Sequence, residues 1–273
     1  MNLEEELRVA SELARRAGAH IHEIKRGGYA IGDKEGGEPV TDADLASSRI
    51  IVQGLKEAFP VDTVVSEEAE GHVIPAEGRC WVVDPLDGTQ DFIDDTGDFV
   101  VMIGLCVDGR PVLGAVHHPP EDRLYVGGPG LGLRRFDGES PGPLLTMTSP
   151  ASLSALRLVA SRSHRDAYLD EAKARLGITG EDNRGSVGLK VTLLAAGQYD
   201  LYLHRRGLKV WDTCAPEALL LAAGGRMGTL GGEPLSYAGT VRHEGGMLAA
   251  HASVFDEVAR LLGGTRDHDS MPR

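Results

Sequence analysis

The sequence predicts a layered α/β protein of two closely packed subdomains. The chain has 273 residues, 41% of them hydrophobic, which is enough to bury a sizeable core. Its first half begins with two amphipathic helices and continues as a run of short strands. Beyond a loop-rich stretch in the middle, strands and helices alternate, which is typical of an α/β arrangement.

The first half is predicted to hold two helices and six strands. Apolar residues at three- and four-residue steps indicate a first helix that ends at Gly27-Gly28, followed by a polar, glycine-rich loop. A second helix begins near Thr41 and ends before Pro60. The predicted strands cover 63–66, 80–83, 99–107, 111–117, 124–126 and 131–136.

The loop-rich segment 137–153 indicates the boundary between the subdomains, which we place at residue 150. The subdomains are then 1–150 and 151–273, and the last ten or so residues are expected to be a frayed tail. The second subdomain is predicted to contain strands 156–161 and 200–204 and helices 165–176, 186–196, 214–223 and 253–262.

The composition excludes several classes of protein. A formal net charge of -13 argues against binding to a nucleic acid polymer, which depends on basic patches. No apolar run is long enough to span a membrane, and the charged N-terminal segment lacks the apolar core of a secretory signal. Three cysteines without paired spacing indicate free thiols in a reducing compartment. We therefore expect a cytoplasmic protein.

The segment Asp84-Pro-Leu-Asp-Gly-Thr89 follows an apolar strand and is the first motif that indicates a functional site. A proline stiffens the turn, so the carboxylates of Asp84 and Asp87 can face one point. Together with the carbonyl of Leu86 they are the oxygen ligands that Mg²⁺ prefers. The amides of Gly88 and Thr89 can point at an anion. The same residues are also ordinary turn chemistry, and that alternative stays open.

Three more acidic groups lie on separate segments, and each has a purely structural alternative. Glu67-Glu68 ends another strand and is either part of the site or solvated loop. Asp212 lies at or just before a helix start, where it is also a good N-cap. Asp44 completes a capping box with Thr41, or it faces the Thr89 hydroxyl. Together these groups predict a site for two or more Mg²⁺ ions that assists phosphoryl transfer.

In combination, DPLDGT (84–89), SEE (66–68) and WDTCAPEA (211–218) resemble the Mg²⁺-dependent, lithium-sensitive phosphatases of the inositol monophosphatase superfamily. The resemblance spans nearly the whole chain, from VTDAD to EGGMLAA. It implies an αβαβα sandwich of the sugar-phosphatase type. The implied ligands of the first metal are Glu67, Asp84 and the carbonyl of Leu86, and those of the second are Asp84, Asp87 and Asp212.

The resemblance also implies catalytic roles. Thr89 and Asp44 would activate the attacking water, Glu68 would orient a ligand or a water on the metal, and the amides of Gly88 and Thr89 would hold the phosphate. Asp212 would border the substrate as well as a metal.

Further motifs, SRSH (161–164) and GSVGLK (185–190), resemble the 3′(2′),5′-bisphosphate nucleotidase branch, including the bacterial CysQ type. That branch implies that Ser161 and His164 contact the nucleotide, with Gly185 and Ser186 beside it. Lys190 would meet the remaining 5′-phosphate, with Arg162 as a further cation. As alternatives, Lys190 is a solvated helix residue and His164 merely starts a helix.

Two departures from the superfamily pattern bear on the substrate. WDTCAPEAL replaces a WDxAAG-like segment, and it places Pro216 in what we expect to be the first helical turn, where proline is tolerated. Gln90 stands where a charged residue is common. The first departure points away from inositol phosphate.

The implied activity is Mg²⁺-dependent hydrolysis of the 3′-phosphate of adenosine 3′,5′-bisphosphate to AMP and phosphate, in sulfate assimilation. Alternatives are a phosphatase of inositol 1-phosphate or of a sugar bisphosphate on the same scaffold, and a non-catalytic binding protein. The expected partner is a small phosphorylated substrate, with neither nucleic acid polymer nor membrane, and a homodimer is an open option.

Overall fold

The computed structural model describes residues 2–34, 37–69, 71–163 and 167–263. Its helices are α1 Glu4–Gly27, α2 Asp42–Ala58, α3 Thr89–Ile93, α4 Ala167–Leu176, α5 Val187–Ala195, α6 Val210–Ala222 and α7 Ala252–Leu262. Its strands are β1 Ile31–Asp33, β2 Pro39–Thr41, β3 Thr63–Ser66, β4 Arg79–Asp87, β5 Val100–Val107, β6 Arg110–His118, β7 Arg123–Gly128, β8 Gly132–Asp137, β9 Ser140–Leu145, β10 Leu158–Ser161, β11 Glu181–Arg184, β12 Leu201–His204, β13 Leu208–Lys209, β14 Gly225–Gly228, β15 Arg242–His243 and β16 Met247–His251.

The larger sheet has seven strands in the sequential order β3 to β9. All neighbours in it are antiparallel except β3 and β4, which run parallel. Successive side chains of a strand point to opposite faces, and β5 shows this clearly. Val101, Ile103 and Leu105 pack with α1 and α2 on one face. Val100 and Met102 pack on the other face with α5 and α6.

The smaller sheet has five strands in the order β11-β10-β12-β16-β14. One face shares a hydrophobic cluster with α5, α6 and the larger sheet, through residues such as Tyr202 and Ala249. The other face packs against α4 and α7, with Phe255 fully buried there. The layers are therefore α1/α2, seven-stranded sheet, α5/α6, five-stranded sheet and α4/α7, which confirms the predicted αβαβα sandwich.

Glycines let α6 lie unusually close to the larger sheet. A Cβ on Gly104 would lie 2.5 Å from the Sγ of Cys214, and one on Gly114 would lie 2.2 Å from the carbonyl oxygen of Ala215. Side chains at these positions would push the helix away, because interiors are close-packed. The approach fixes α6 against β5 and β6. The three cysteines are buried free thiols.

Several element boundaries differ from the sequence prediction. The helix predicted at 214–223 begins earlier, at Val210, so Pro216 lies inside it and cannot donate a hydrogen bond to the carbonyl of Asp212. The segment expected to be loop contains β9, an exposed edge strand whose prolines and glycine hide its strand character. The subdomain boundary at residue 150 stays a prediction; the larger sheet ends at Leu145 and the smaller one begins at Leu158.

Among the described residues, no helix is both long and apolar enough to span a bilayer.

Candidate active site

The end of β4 carries the first two candidate carboxylates. Its register with β5 shifts between Asp84 and Asp87, so the strand is irregular where the proline interrupts it. The backbone N–H of Leu86 donates to Oδ1 of Asp84 at 3.0 Å. The hydroxyl of Ser47, on α2, donates to the carbonyl of Pro85 at 2.8 Å. The turn is therefore fixed from both sides, with Asp84 buried in it.

The parallel pairing of β3 with β4 brings Glu67 to the same edge. Ser66 is the register partner of Val83, and the N–H of Glu67 donates to the carbonyl of Val83 at 3.1 Å. Because parallel strands end at the same edge of a sheet, the residues that follow them are neighbours. Glu67 and Asp84 are therefore adjacent in the fold, as the sequence predicts.

Asp212 reaches the site from the first turn of α6. Its Oδ2 accepts a hydrogen bond from the backbone N–H of Lys209 at 2.7 Å. Asp212 is thus the third residue of the helix and reaches back to its N-terminus, slightly later than the predicted position at or just before the helix start. An acidic side chain here is favoured by the helix dipole, and its second oxygen stays available to a ligand.

Asp87 is held by α5 and the residue before it. Its Oδ2 accepts hydrogen bonds from the hydroxyl of Ser186 at 2.5 Å and from the N–H of Gly188 at 2.6 Å. Ser186 has φ = 51°, in the left-handed region that non-glycine residues seldom adopt. This strain is located at the contact between the two halves of the chain, where it orients a carboxylate of the site.

Thr89 and Asp44 form the predicted pair. The Thr89 hydroxyl donates to Oδ1 of Asp44 at 2.8 Å. The other oxygen of Asp44 accepts from the backbone N–H of Thr41 at 2.7 Å and from its hydroxyl at 2.6 Å. Asp44 therefore caps α2 and contacts Thr89 at the same time, so the two alternatives weighed from the sequence are both realised in its geometry.

These groups meet at one cavity of about 400 Å³, in the size range of small-molecule sites. Burial, added to the carboxylates around it, raises the pKa of Asp84 well above its usual range. Burial and the neighbouring Asp87 and Glu67 do the same to the pKa of Asp212. Predicted site residues that line the cavity are Glu67, Asp84, Leu86, Asp87, Gly88, Thr89, Ser161, Gly185, Ser186, Lys190 and Asp212.

The donor set fits a hard divalent cation. Several carboxylates and a carbonyl line one cavity, and a positive ion there would relieve the mutual repulsion of the carboxylates. In the described part of the chain, no three acidic, histidine or cysteine side chains already converge as a closed metal centre. Instead Lys34 pairs with Glu67 at 2.7 Å and with Glu68 at 2.5 Å. Lys34 was not predicted as a site residue, because nothing in its glycine-rich loop indicates where the side chain ends.

Three predicted residues have surroundings other than those expected. Glu68 borders a separate groove along α2 instead of the acidic cavity. The ammonium of Lys190 donates to the carbonyls of Arg184, Gly185 and Ser186 at 2.5–3.4 Å, so it is neither solvated nor open to a phosphate. Arg162 pairs with Asp91 and Asp98. His164 lies outside the described residues.

Behind Asp212, α6 carries a buried Glu217, which accepts a hydrogen bond from the Tyr237 hydroxyl. Burial raises its pKa from 4.5 to about 7. The folded state binds a proton at the Glu217 carboxyl more tightly than the unfolded state does. Ionised Glu217 therefore destabilises the fold increasingly as pH rises from 4.5 through 7. We expect the advantage of Glu217→Gln over wild type in free energy of unfolding to grow by roughly 2 kcal/mol as the pH rises from about 5 to about 8.

Urea denaturation at both pH values measures this gain, with the exposed Glu257→Gln as the matched control. A difference between Glu217→Gln and wild type that does not change with pH would contradict the burial argument.

Comparison with known proteins gives a consistent result. Residues 2–262 match the inositol monophosphatase family. The 3′(2′),5′-bisphosphate nucleotidase CysQ of Escherichia coli K12 is 36% identical over 232 residues, covering 83% of this chain and 91% of that protein. The inositol-1-monophosphatase of Bacillus subtilis is 27% identical, covering 91% and 94%. The structure of inositol monophosphatase from Anabaena superposes with a TM-score of 0.77 at 27% identity, covering 99% and 100%.

Proposed function

The chain belongs to the inositol monophosphatase family, and we propose that within it the protein is a metal-dependent 3′(2′),5′-bisphosphate nucleotidase. It hydrolyses the 3′-phosphate of adenosine 3′,5′-bisphosphate and leaves AMP and inorganic phosphate. The observation that carries this proposal is the meeting of Glu67, Asp84, Asp87 and Asp212 at one cavity beside the Thr89–Asp44 pair, in a chain similar to CysQ nucleotidases.

Mg²⁺ is the cation that best matches these ligands. Glu67, Asp84 and the Leu86 carbonyl would hold one ion, and Asp84, Asp87 and Asp212 would hold another. When bound, Mg²⁺ neutralises charge on the phosphate and lowers the pKa of water. A bound ion would relieve the mutual repulsion of the carboxylates and would compete with Lys34 for Glu67.

The chain's own groups position the reactants. The Thr89 hydroxyl, whose proton is directed to Asp44, accepts a hydrogen bond from the attacking water and orients it toward the phosphorus. The amides of Gly88 and Thr89 donate to the phosphate oxygens. Gly88 has φ = 97°, and a Cβ there would lie 2.7 Å from the carbonyl of Asp98, so the turn requires glycine. The residues Ser161, Gly185 and Ser186 border the cavity where the nucleoside would lie.

Product analysis tests the proposal. With Mg²⁺ present, adenosine 3′,5′-bisphosphate should yield adenosine 5′-monophosphate and phosphate in equal amounts, and a chelator should abolish the reaction. Lithium, which suppresses phosphatases of this kind, should suppress it. Release of the 5′-phosphate, leaving adenosine 3′-monophosphate, or turnover that persists in the chelator, would contradict the proposal. The number of ions, the cytoplasmic location, the homodimer and the place in sulfate assimilation stay predictions.

A further inference from the structure

One wall of the cavity is cationic, although its floor is acidic. The loop after β12 contributes Arg206, β13 contributes Lys209, and β15 contributes Arg242. The acidic floor is formed by lining residues named above, Glu67, Asp84, Asp87 and Asp212. None of these three cations was predicted as a site residue. Arg242 in particular is far from the motifs along the chain.

Two cations of this wall lie opposite each other, although like charges repel. Lys209 and Arg242 are register partners in the antiparallel pair β13–β15, so their side chains lie on the same face. Like charges directly opposite one another destabilise a β-ladder. In the part of the chain that the structure describes, the guanidinium groups of Arg206 and Arg242 have no carboxylate or hydrogen-bond partner. The Nζ of Lys209 lies 5.1 Å from the centre of the Trp211 ring and makes no ion pair with a described residue, although its charge acts on Asp212. An anion between these cations would turn repulsion into attraction.

The cationic wall is tied to the acidic floor. The hydroxyl of Thr213, on α6, lies 2.9 Å from Nε2 of the buried His243, which neighbours Arg242. The ring of Tyr237 packs edge-on against His243 at 4.9 Å. On the other strand, the N–H of Lys209 donates to Asp212. The separation between this wall and the floor is therefore set by the same helix that carries Asp212.

The cations first considered for a second phosphate have other partners. All three donors of the Lys190 ammonium point at backbone carbonyls, and both ends of the Arg162 guanidinium contact buried aspartates. A bisphosphate whose reacting phosphate lies over the acidic floor still presents a second dianion. Of the described lysines and arginines that line the cavity, Arg206, Lys209 and Arg242 are those whose side chains make no hydrogen bond or ion pair.

We propose that Lys209 and Arg242, with Arg206 beside them, form the subsite for the second, non-reacting phosphate of the substrate. This inference rests on the proposed nucleotidase function and specifies which residues select a bisphosphate. Guanidinium groups suit the task because they bind phosphate oxygens in pairs, and Lys209 adds a point charge. Lys190 is instead a positioning residue, which holds the carbonyls around Ser186 and through that residue orients Asp87.

The test compares kcat/KM for adenosine 3′,5′-bisphosphate with kcat/KM for adenosine 3′-monophosphate, which lacks the second phosphate. We expect Arg242→Gln and Lys209→Gln each to lower this ratio about tenfold, through KM for the bisphosphate. Arg242→Lys should restore part of the loss. The control is Arg110→Gln, an exposed arginine outside the cavity, which should keep the wild-type ratio. All four variants change exposed or half-exposed side chains, and thermal melting checks their folding.

The outcomes separate the two proposals. A wild-type protein that prefers the bisphosphate, and variants that keep that preference, would overturn the phosphate subsite and leave the nucleotidase function intact. A wild-type protein with no preference for the bisphosphate would overturn the proposed function, and the subsite with it.

Discussion

Replacing Asp87 by Asn should lower kcat by about 10³-fold while the protein stays folded. The carboxamide oxygen of Asn can still accept the hydrogen bonds from Ser186 and Gly188, so the packing between α5 and β4 is preserved. What is lost is the negative charge that a divalent cation needs at this edge of the cavity. Burial raises the pKa of Asp87, so the charge is costly to the fold and its removal should not lower stability.

Steady-state kinetics at saturating Mg²⁺, with thermal melting of the same samples, measure both parts of this prediction. Asp94→Asn is the matched control, because it changes an exposed acid in the same segment and should stay within about twofold of wild type. Turnover by Asp87→Asn close to that of wild type would show that the cation does not depend on this carboxylate.

Replacing Thr89 by Val should lower kcat at least about 10²-fold, because the hydroxyl that orients the attacking water is lost while the shape is kept. Asp44 would lose one of its donors but keep those from Thr41, so the capping of α2 survives. The cost in stability should be about 1–3 kcal/mol, the usual effect of leaving a buried acceptor short of a partner.

Thr89→Ser is the informative companion, since it keeps the hydroxyl and loses only a methyl group. We expect it to retain most of the wild-type kcat, with KM for the substrate little changed in either variant. If the valine and serine variants had equal kcat values, the hydroxyl would have no role in the reaction.

The proposed metal ligands that lie nearest to each other along the chain were the most predictable part of the site. Asp84 and Asp87 flank a stiff turn after a dry strand, and Glu67 follows the neighbouring strand, so local chemistry and strand order together indicate one site. The capping box of Asp44 could also be recognised locally, and only the fold shows that its free oxygen accepts from Thr89.

Residues whose role depends on where a long side chain ends could not be predicted in this way. From the sequence, the ammonium group of Lys190 is expected to face solvent or a phosphate. In the fold, packing of α5 buries it against carbonyl oxygens. Arg242 has no motif around it, and the role proposed for it follows from its register pairing with Lys209. The start of α6 was placed too late because Val210 and Trp211 resemble the end of a strand and Lys209 is an unusual N-cap.

The measurement that tests the account most directly is kcat/KM for adenosine 3′,5′-bisphosphate, adenosine 5′-monophosphate and inositol 1-phosphate, each with Mg²⁺ and with Mg²⁺ plus lithium. We expect fast phosphate release from the bisphosphate, strong suppression by lithium, and much slower release from the two monophosphates. Preference for inositol 1-phosphate would contradict the nucleotidase assignment while keeping the metal chemistry. No release from any of the three would contradict the catalytic site itself.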